Sequence, residues 1–371
     1  MKKKIALFMP NFLQGGAESV MVSIANHLSN FDFIVHFIVT DNKGPLKNEL
    51  DKKVIIKNLN CTKTLYSLPS LSKYIYREKP DIILSTLKEN NIISILAKKI
   101  TLSKAKIIIR EANTLSAEFK VEKSFIQIIK KHLVKWLYPH SNCIIALSKH
   151  MERDLNNFLN LKNKNIKIIY NPVNIKRIEQ LSKEKNSNFI EYDKSVKNIV
   201  SLARLYNSKG YDTIFNALFM LKDTKQKFHF YAIGDGPSKN ELISLSNELG
   251  LKEHITFLGF KENPFPFLIQ ADCFILASHY EGMPNSLLQA MALNIPVICS
   301  DSPGASAEVL LNGKYGLLFN VGDSKKLYEN IVKTLSKDEY IETKNIINSQ
   351  NNQHNIMSQY KKTIDELLEN Q

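Results

Sequence analysis

The sequence predicts an α/β protein of two doubly wound, Rossmann-like domains facing a cleft. Three observations predict it. The 371 residues are too many for one ordinary α/β domain and suit two of about 150 to 200 residues. Short apolar runs rich in Ile, Val and Phe recur with helix-length segments between them, which is how parallel strands buried on both faces read. A polar break then falls near the middle of the chain. With 44% hydrophobic residues each half can bury a core, and no run approaches the length of a membrane span.

In chain order the first-half strands are expected at Ile5–Pro10, Phe33–Thr40, Val54–Leu59, Ile82–Ser85, Ile107–Arg110, Cys143–Leu147 and Ile166–Tyr170. Asn171-Pro172 stops the last of them, and a polar stretch, Glu179–Asn188, follows. The second set is Asn198–Ala203, Phe228–Ile233, Ile255–Leu258, Cys273–Ala277, Pro296–Cys299 and Gly316–Phe319. From Asp323 onward the pattern is helical. The expected division is residues 1–175, a linker over 176–195, a second domain over 196–350, and a final helix over 351–371 packing back on the first domain.

The start, Met1–Leu13, has Lys2, Lys3 and Lys4 before an apolar run. The run is short, contains Pro10 and leads into Gly15-Gly16, so it reads as a buried strand and not as a leader. Cys61, Cys143, Cys273 and Cys299 show no C-x-x-C spacing and read as free thiols in a reduced, cytoplasmic setting. Residues 1–175 hold 28 Lys+Arg against 13 Asp+Glu, a net of +15, and the remainder nets −1. A half so charged is drawn to anionic partners. Scattered cations without a recognition motif argue against nucleic acid and leave an anionic leaflet, with the protein peripheral on the inner face of the cell membrane.

Five features carry chemistry. Gly15 and Gly16 follow the first strand and open a helix, so bare backbone and a helix N-terminus can approach an anion. Arg204 and Lys209 lie just after the strand Asn198–Ala203, where cations can clamp a diphosphate. Gly234 and Gly236, in GDGP, make a tight turn after the next strand. In SHYEGMPNSLLQAMA, Glu281 precedes a helix that starts near Asn285, and Gln289 lies one turn inside it. The open N–H groups of Asn285, Ser286 and Leu287 can hold phosphate. Finally DSPGASAE, Asp301–Glu308, is a loop able to wrap a ligand. Read singly, each is equally a plain turn or a solvated side chain.

Together, in this order, GGAE at 15–18, ARL…KG at 203–210, GDGP at 234–237, FLGF at 257–260 and the Glu281 segment resemble the fourth family of retaining glycosyltransferases, which has the two-domain GT-B architecture. The resemblance covers nearly the whole chain. It implies an enzyme that moves a hexose or N-acetylhexosamine, from UDP rather than GDP, to a glycan or undecaprenyl-type lipid-linked acceptor. It implies that Arg204 and Lys209 bind the donor diphosphate and that Glu281 touches the transferred sugar. The residue at 289 would bind ribose. Ser286–Leu287 would reach the phosphates and the 259–263 segment, with Phe260, the base. Gly15, Gly16, Gly234, Gly236, Gly282, Pro284, Asn285 and Glu308 complete the donor site. The acceptor hydroxyl would attack from the leaving group's face. No Asp-x-Asp occurs, so no metal or other cofactor is expected.

Two positions depart from the family pattern. Its Glu-x7-Glu is here Glu281 and Gln289, which keeps hydrogen bonding without charge. A histidine found in many relatives after the fifth strand is replaced by Glu111 and Asn113, beside Arg110; these are the acceptor-side candidates, with Glu111 the catalytic one. A nucleotide-sugar epimerase on the same fold, or a non-catalytic nucleotide-sugar-binding protein, is the alternative. Along Phe119–Tyr138, the residues Phe125, Ile129, Leu133 and Trp136 recur at helical spacing. The expectation is that they pack inward and leave lysines in water; a basic face of Lys123, Lys130 and Lys131 on an anionic bilayer is the other reading.

Overall fold

A computed structural model of the chain describes residues 2–13, 15–121, 124–161, 165–185, 189–336 and 341–369. The chain forms two compact units, Met1–Pro172 with Gln353–Gln371, and Val173–Asn352. The segment read as a linker over 176–195 contains a helix, Ile175–Leu181, and belongs to the second unit.

The first unit holds seven parallel strands: β1 (Lys3–Met9), β2 (Phe33–Val39), β3 (Ile55–Asn58), β4 (Ile82–Thr86), β5 (Lys106–Arg110), β6 (Cys143–Ala146) and β7 (Ile166–Ile168), in the order β3-β2-β1-β4-β5-β6-β7. Ile5 sits between Val35 and Ile82 in register, and β4 is buried along its whole length, so the unbroken apolar run follows from cover on both faces. Helix Gln353–Glu369 completes this unit. Its Tyr360 is buried, and Lys361 Nζ lies 4.8 Å from the centre of the Phe31 ring.

The second unit holds β8 (Lys197–Leu202), β9 (Phe228–Ile233), β10 (Ile255–Gly259), β11 (Cys273–Leu276), β12 (Val297–Ser300) and β13 (Leu317–Phe319), in the order β10-β9-β8-β11-β12-β13. Its core joins Ile199, Phe215, Phe230, Ile275 and Ile331. The unit's two ends lie side by side, because Val173 bridges Asn352 in parallel and its N–H donates to the Asn351 carbonyl at 2.7 Å. In both sheets the order reverses beside the first strand, between β1 and β4 and between β8 and β11. Such a switch point opens a crevice at the strands' carboxyl ends.

One expectation is overturned. In helix Phe125–Leu137 the inward residues are Val134 and Leu137, with the Lys130 ammonium half-buried on Glu89. Leu137 leads directly into Tyr138, which is fully buried, and this pins the helix face. Phe125, Ile129 and Trp136 lie on the opposite side at 100° per residue and are exposed. Lys131 is exposed, and Lys123 lies outside the described residues. Cys143, Cys273 and Cys299 are buried free thiols, and Cys61 is a half-buried one.

Candidate active site

The second unit's crevice is built by two segments far apart in sequence. After β8 the chain runs through Arg204 and a 3-10 turn, Asn207–Lys209, to Gly210. Gly210 has φ +65, and a Cβ there would lie 2.1 Å from the Ala277 carbonyl oxygen, so only glycine lets this loop press against the end of β11. The His279 N–H donates to the Ser208 carbonyl at 2.8 Å, locking the two loops together. As a result Lys209 Nζ meets Glu281 Oε1 at 2.6 Å, and Ser278 Oγ donates to the same oxygen at 2.7 Å. Both charged side chains are largely buried, which makes the pair stronger than a surface one.

From below, Glu281 N–H donates to Pro303 O at 2.9 Å and Ala305 N–H to Gly282 O at 2.8 Å. Gly304, at φ +141, lets the DSPGASAE loop pass beneath; a Cβ there would lie 2.4 Å from the Glu281 carbonyl oxygen. Ser300 Oγ ties β12 to the Ser278 carbonyl at 2.7 Å. Arg204 is exposed, its guanidinium carbon 5.4 Å from the Tyr206 ring centre, and it makes no ion pair among the described residues. Gly234 and Gly236 flank this segment from the end of β9, with Leu205 N–H on the Asp235 carbonyl at 3.0 Å.

Helix Asn285–Ala292 starts after Gly282 and Pro284, both buried, and its N-cap residue, Pro284, offers no side-chain cap. Leu287, Leu288, Ala290 and Met291 are buried, so Asn285, Ser286 and Gln289, all half-buried, share the other face. Glu308, half-buried, lies in the short helix Ser306–Val309. Phe260 follows β10 and is 55% exposed, a ring open to a flat partner. Lys209, Ser278 and Glu281 thus come together at the end of β11, four residues before the helix start. Ser278 is a member of this cluster that sequence reasoning left unassigned, although it ends the strand at the switch point.

The first unit has its own polar cluster at the carboxyl ends of β4 and β5. Glu111 is fully buried; its Oε2 accepts from Tyr138 Oη at 2.7 Å and its Oε1 from Ala112 N–H at 2.9 Å. Burial first, then the neighbouring Glu118 carboxylate, push the Glu111 carboxyl up to about 7, against the pull of Tyr138 and Lys88. Leu87, at φ +71, turns Lys88 into the interior, where its ammonium meets Glu118 Oε1 at 2.8 Å. Asn113 Nδ2 lies 3.5 Å from Glu118 Oε2. Lys88, Glu118 and Tyr138 were not identified from sequence, because 30 residues separate the ion pair and no local spacing marks it. Arg110 is buried with its guanidinium occupied by Thr86 Oγ1 at 3.1 Å, Asn171 Oδ1 at 2.5 Å and Tyr360 Oη at 3.1 Å, bonds that fasten the C-terminal helix to the sheet. Gly15 precedes helix Gly16–Leu28 at the carboxyl end of β1.

Comparison with known proteins agrees with this geometry. Residues 14–177 match the family model described as Glycosyltransferase Family 4, and residues 182–354 the one described as Glycosyl transferases group 1. An uncharacterized glycosyltransferase of Methanocaldococcus jannaschii is 30% identical over 307 residues, 74% of this chain and 73% of that one. The Campylobacter jejuni N-acetylgalactosamine-N,N'-diacetylbacillosaminyl-diphospho-undecaprenol 4-alpha-N-acetylgalactosaminyltransferase is 27% identical over 350 residues, 91% of each chain. Among solved structures, Anabaena HepE in complex with UDP-glucose superposes with a TM-score of 0.81 at 18% identity, covering 98% of this chain and 99% of that one. The two sheets with matching switch points, and the two family models matched end to end, lead to one assignment: the chain belongs to the family 4 glycosyltransferases and has the GT-B fold.

Proposed function

We propose that this glycosyltransferase moves a sugar from UDP to a lipid-linked glycan, with retention of anomeric configuration and without a metal. The observation that carries the reading is the pairing of Lys209 with Glu281 at the switch point, on the loop that also carries the exposed Arg204. Arg204, Lys209 and the helix start at Asn285, Ser286 and Leu287, with its positive dipole end, neutralise the departing diphosphate. Glu281, held by Ser278, accepts hydrogen bonds from the sugar hydroxyls. Gln289 binds the ribose, Phe260 stacks on the base, and Gly234, Gly236 and Glu308 line the donor. A donor phosphate oxygen takes the acceptor proton. Glu111 and Asn113 stand on the acceptor side. UDP-glucose in the HepE complex and the diphospho-undecaprenol acceptor of the Campylobacter relative support this choice of substrates.

Calorimetric titration with UDP and GDP in EDTA tests the donor half. UDP binds the wild type, and Arg204→Ala weakens it about 30-fold, the loss of one charge-assisted contact. Equal affinity in the variant, or no binding of either nucleotide, overturns the assignment. Incubation with UDP-sugars then separates the alternatives. Release of UDP only when a lipid-linked acceptor is present supports transfer. An altered UDP-sugar formed without acceptor indicates an epimerase, and tight binding without turnover indicates a binding protein.

A further inference from the structure

Among the described residues eight buried side-chain polar atoms lack a hydrogen-bond partner, and four of them lie on two neighbouring helices of the first unit. Helix Lys88–Ile100 carries three: Asn90 Nδ2, Asn90 Oδ1 and Ser94 Oγ. Asn90 is 1% exposed and Ser94 fully buried. Their neighbour Asn91, turned by about 100° from Asn90, shows the contrast. Its Oδ1 accepts from Ser85 Oγ at 2.8 Å, and its Nδ2 donates to Tyr138 Oη at 3.1 Å. Asn90 and Ser94, four residues apart, share one side of the helix, and Asn90 is turned back from Tyr138.

Helix Leu68–Glu78 packs alongside. Its Tyr74 Oη lies 2.7 Å from His36 Nδ1 of β2. Ser72, about 160° round from Tyr74, faces away from β2, toward β4 and the helix that follows it. Ser72 Oγ is the fourth atom without a partner.

We infer that Ser72, Asn90 and Ser94 enclose an internal water site between these two helices. The chemistry of the four atoms selects the occupant. The Asn90 amide presents donors and an acceptor, and each serine hydroxyl serves as either. A cation leaves Asn90 Nδ2 bare, an anion leaves Asn90 Oδ1 bare, and an apolar filling leaves every one of them unpaired. Water donates and accepts at once. A buried water makes about three hydrogen bonds, so about one or two waters serve all four atoms. These waters belong to the packing that seats the first two turns of helix Lys88–Ile100, the turns that present Lys88 to Glu118 and Asn91 to Tyr138. The inference does not rest on the proposed function.

A high-resolution crystal structure of the full chain, with oxygen-17 relaxation dispersion of the water signal in solution, tests the site. Density for about one or two waters lies within about 3.2 Å of Asn90 Nδ2, Asn90 Oδ1 and Ser94 Oγ. Asn90→Leu, close in volume and unable to hydrogen-bond, removes that density and lowers the dispersion amplitude by the same number of long-lived waters. Ser94→Ala leaves the water on Asn90 in place. Trp136, the single tryptophan and a residue of the same unit, keeps its emission in both variants, which shows that the unit folds. No density in the wild-type map, direct hydrogen bonds among the three side chains with no water between them, a peak with the short contacts of a metal cation, or an undiminished amplitude in a folded Asn90→Leu overturns the inference. Where Asn90→Leu does not fold, the wild-type map decides alone.

Discussion

Glu111 is fully buried beside Glu118, and its carboxyl is pushed from the ordinary 4.5 up to about 7. An acid whose folded value exceeds its unfolded one loses its proton first in the unfolded chain as pH rises. Stability is therefore complete below 4.5 and falls as pH rises through about 7. The difference amounts to about 3 kcal/mol, most of which develops between about pH 5 and pH 8.5. Glu111→Gln removes the titration but also disturbs the bond from Tyr138 Oη, a cost that does not change with pH. The quantity to measure is thus the stability of the variant minus that of the wild type, taken at both pH values. Urea unfolding followed by Trp136 emission reports on the unit that contains Glu111, which matters because the two units need not unfold together. The difference should shift toward the variant by about 2 to 3 kcal/mol on going to the higher pH. A shift near zero, or toward the wild type, refutes the argument that burial and Glu118 govern this carboxyl.

Three further outcomes follow from the same geometry. Burial pushes the His36 imidazole down to about 4, so its share of stability is present above its ordinary 6.5 and is lost as pH falls through about 4. His36→Gln should flatten the acid limb of the urea-midpoint profile, and an unchanged limb counts against it. Gly210→Ala drives a Cβ toward the Ala277 carbonyl and should cost about 2 to 3 kcal/mol, read by thermal unfolding, with weaker UDP binding; a neutral result refutes the close approach. Arg110→Met removes the bonds to Thr86, Asn171 and Tyr360, and should cost about 3 kcal/mol and speed proteolysis within 353–369. Unaltered cleavage would show that Arg110 does not fasten that helix.

The strands were legible because parallel strands covered on both faces leave no choice but continuous Ile and Val, as in Ile82–Ser85 and Ile107–Ile109. The Glu281 segment was legible because a strand end, a loop and a helix start follow one another within fifteen residues. The facing of helix Phe125–Leu137 was not. Periodicity identifies which residues share a side, but here each side carries bulky apolar groups and lysine, and the inward side was fixed by Tyr138 beyond the helix. Nor could sequence show that Arg110 is occupied by Tyr360, 250 residues away, or that Lys88 meets Glu118 in the interior. Such pairings depend on which strand ends the topology brings together.

The bridge between Val173 and Asn352 has a consequence for biosynthesis. The second unit begins and ends at one place, so it can close on itself as a continuous stretch of newly made chain. The first unit cannot. Its seven strands emerge early, yet the helix that brings Tyr360 to the buried Arg110 is made only after all of residues 173–352. Until then the nascent sheet holds a guanidinium without one of its partners and an uncovered apolar flank at helix Gly16–Leu28. Chains released short of residue 353 should therefore be the ones that engage chaperones, and chains released beyond residue 369 should not.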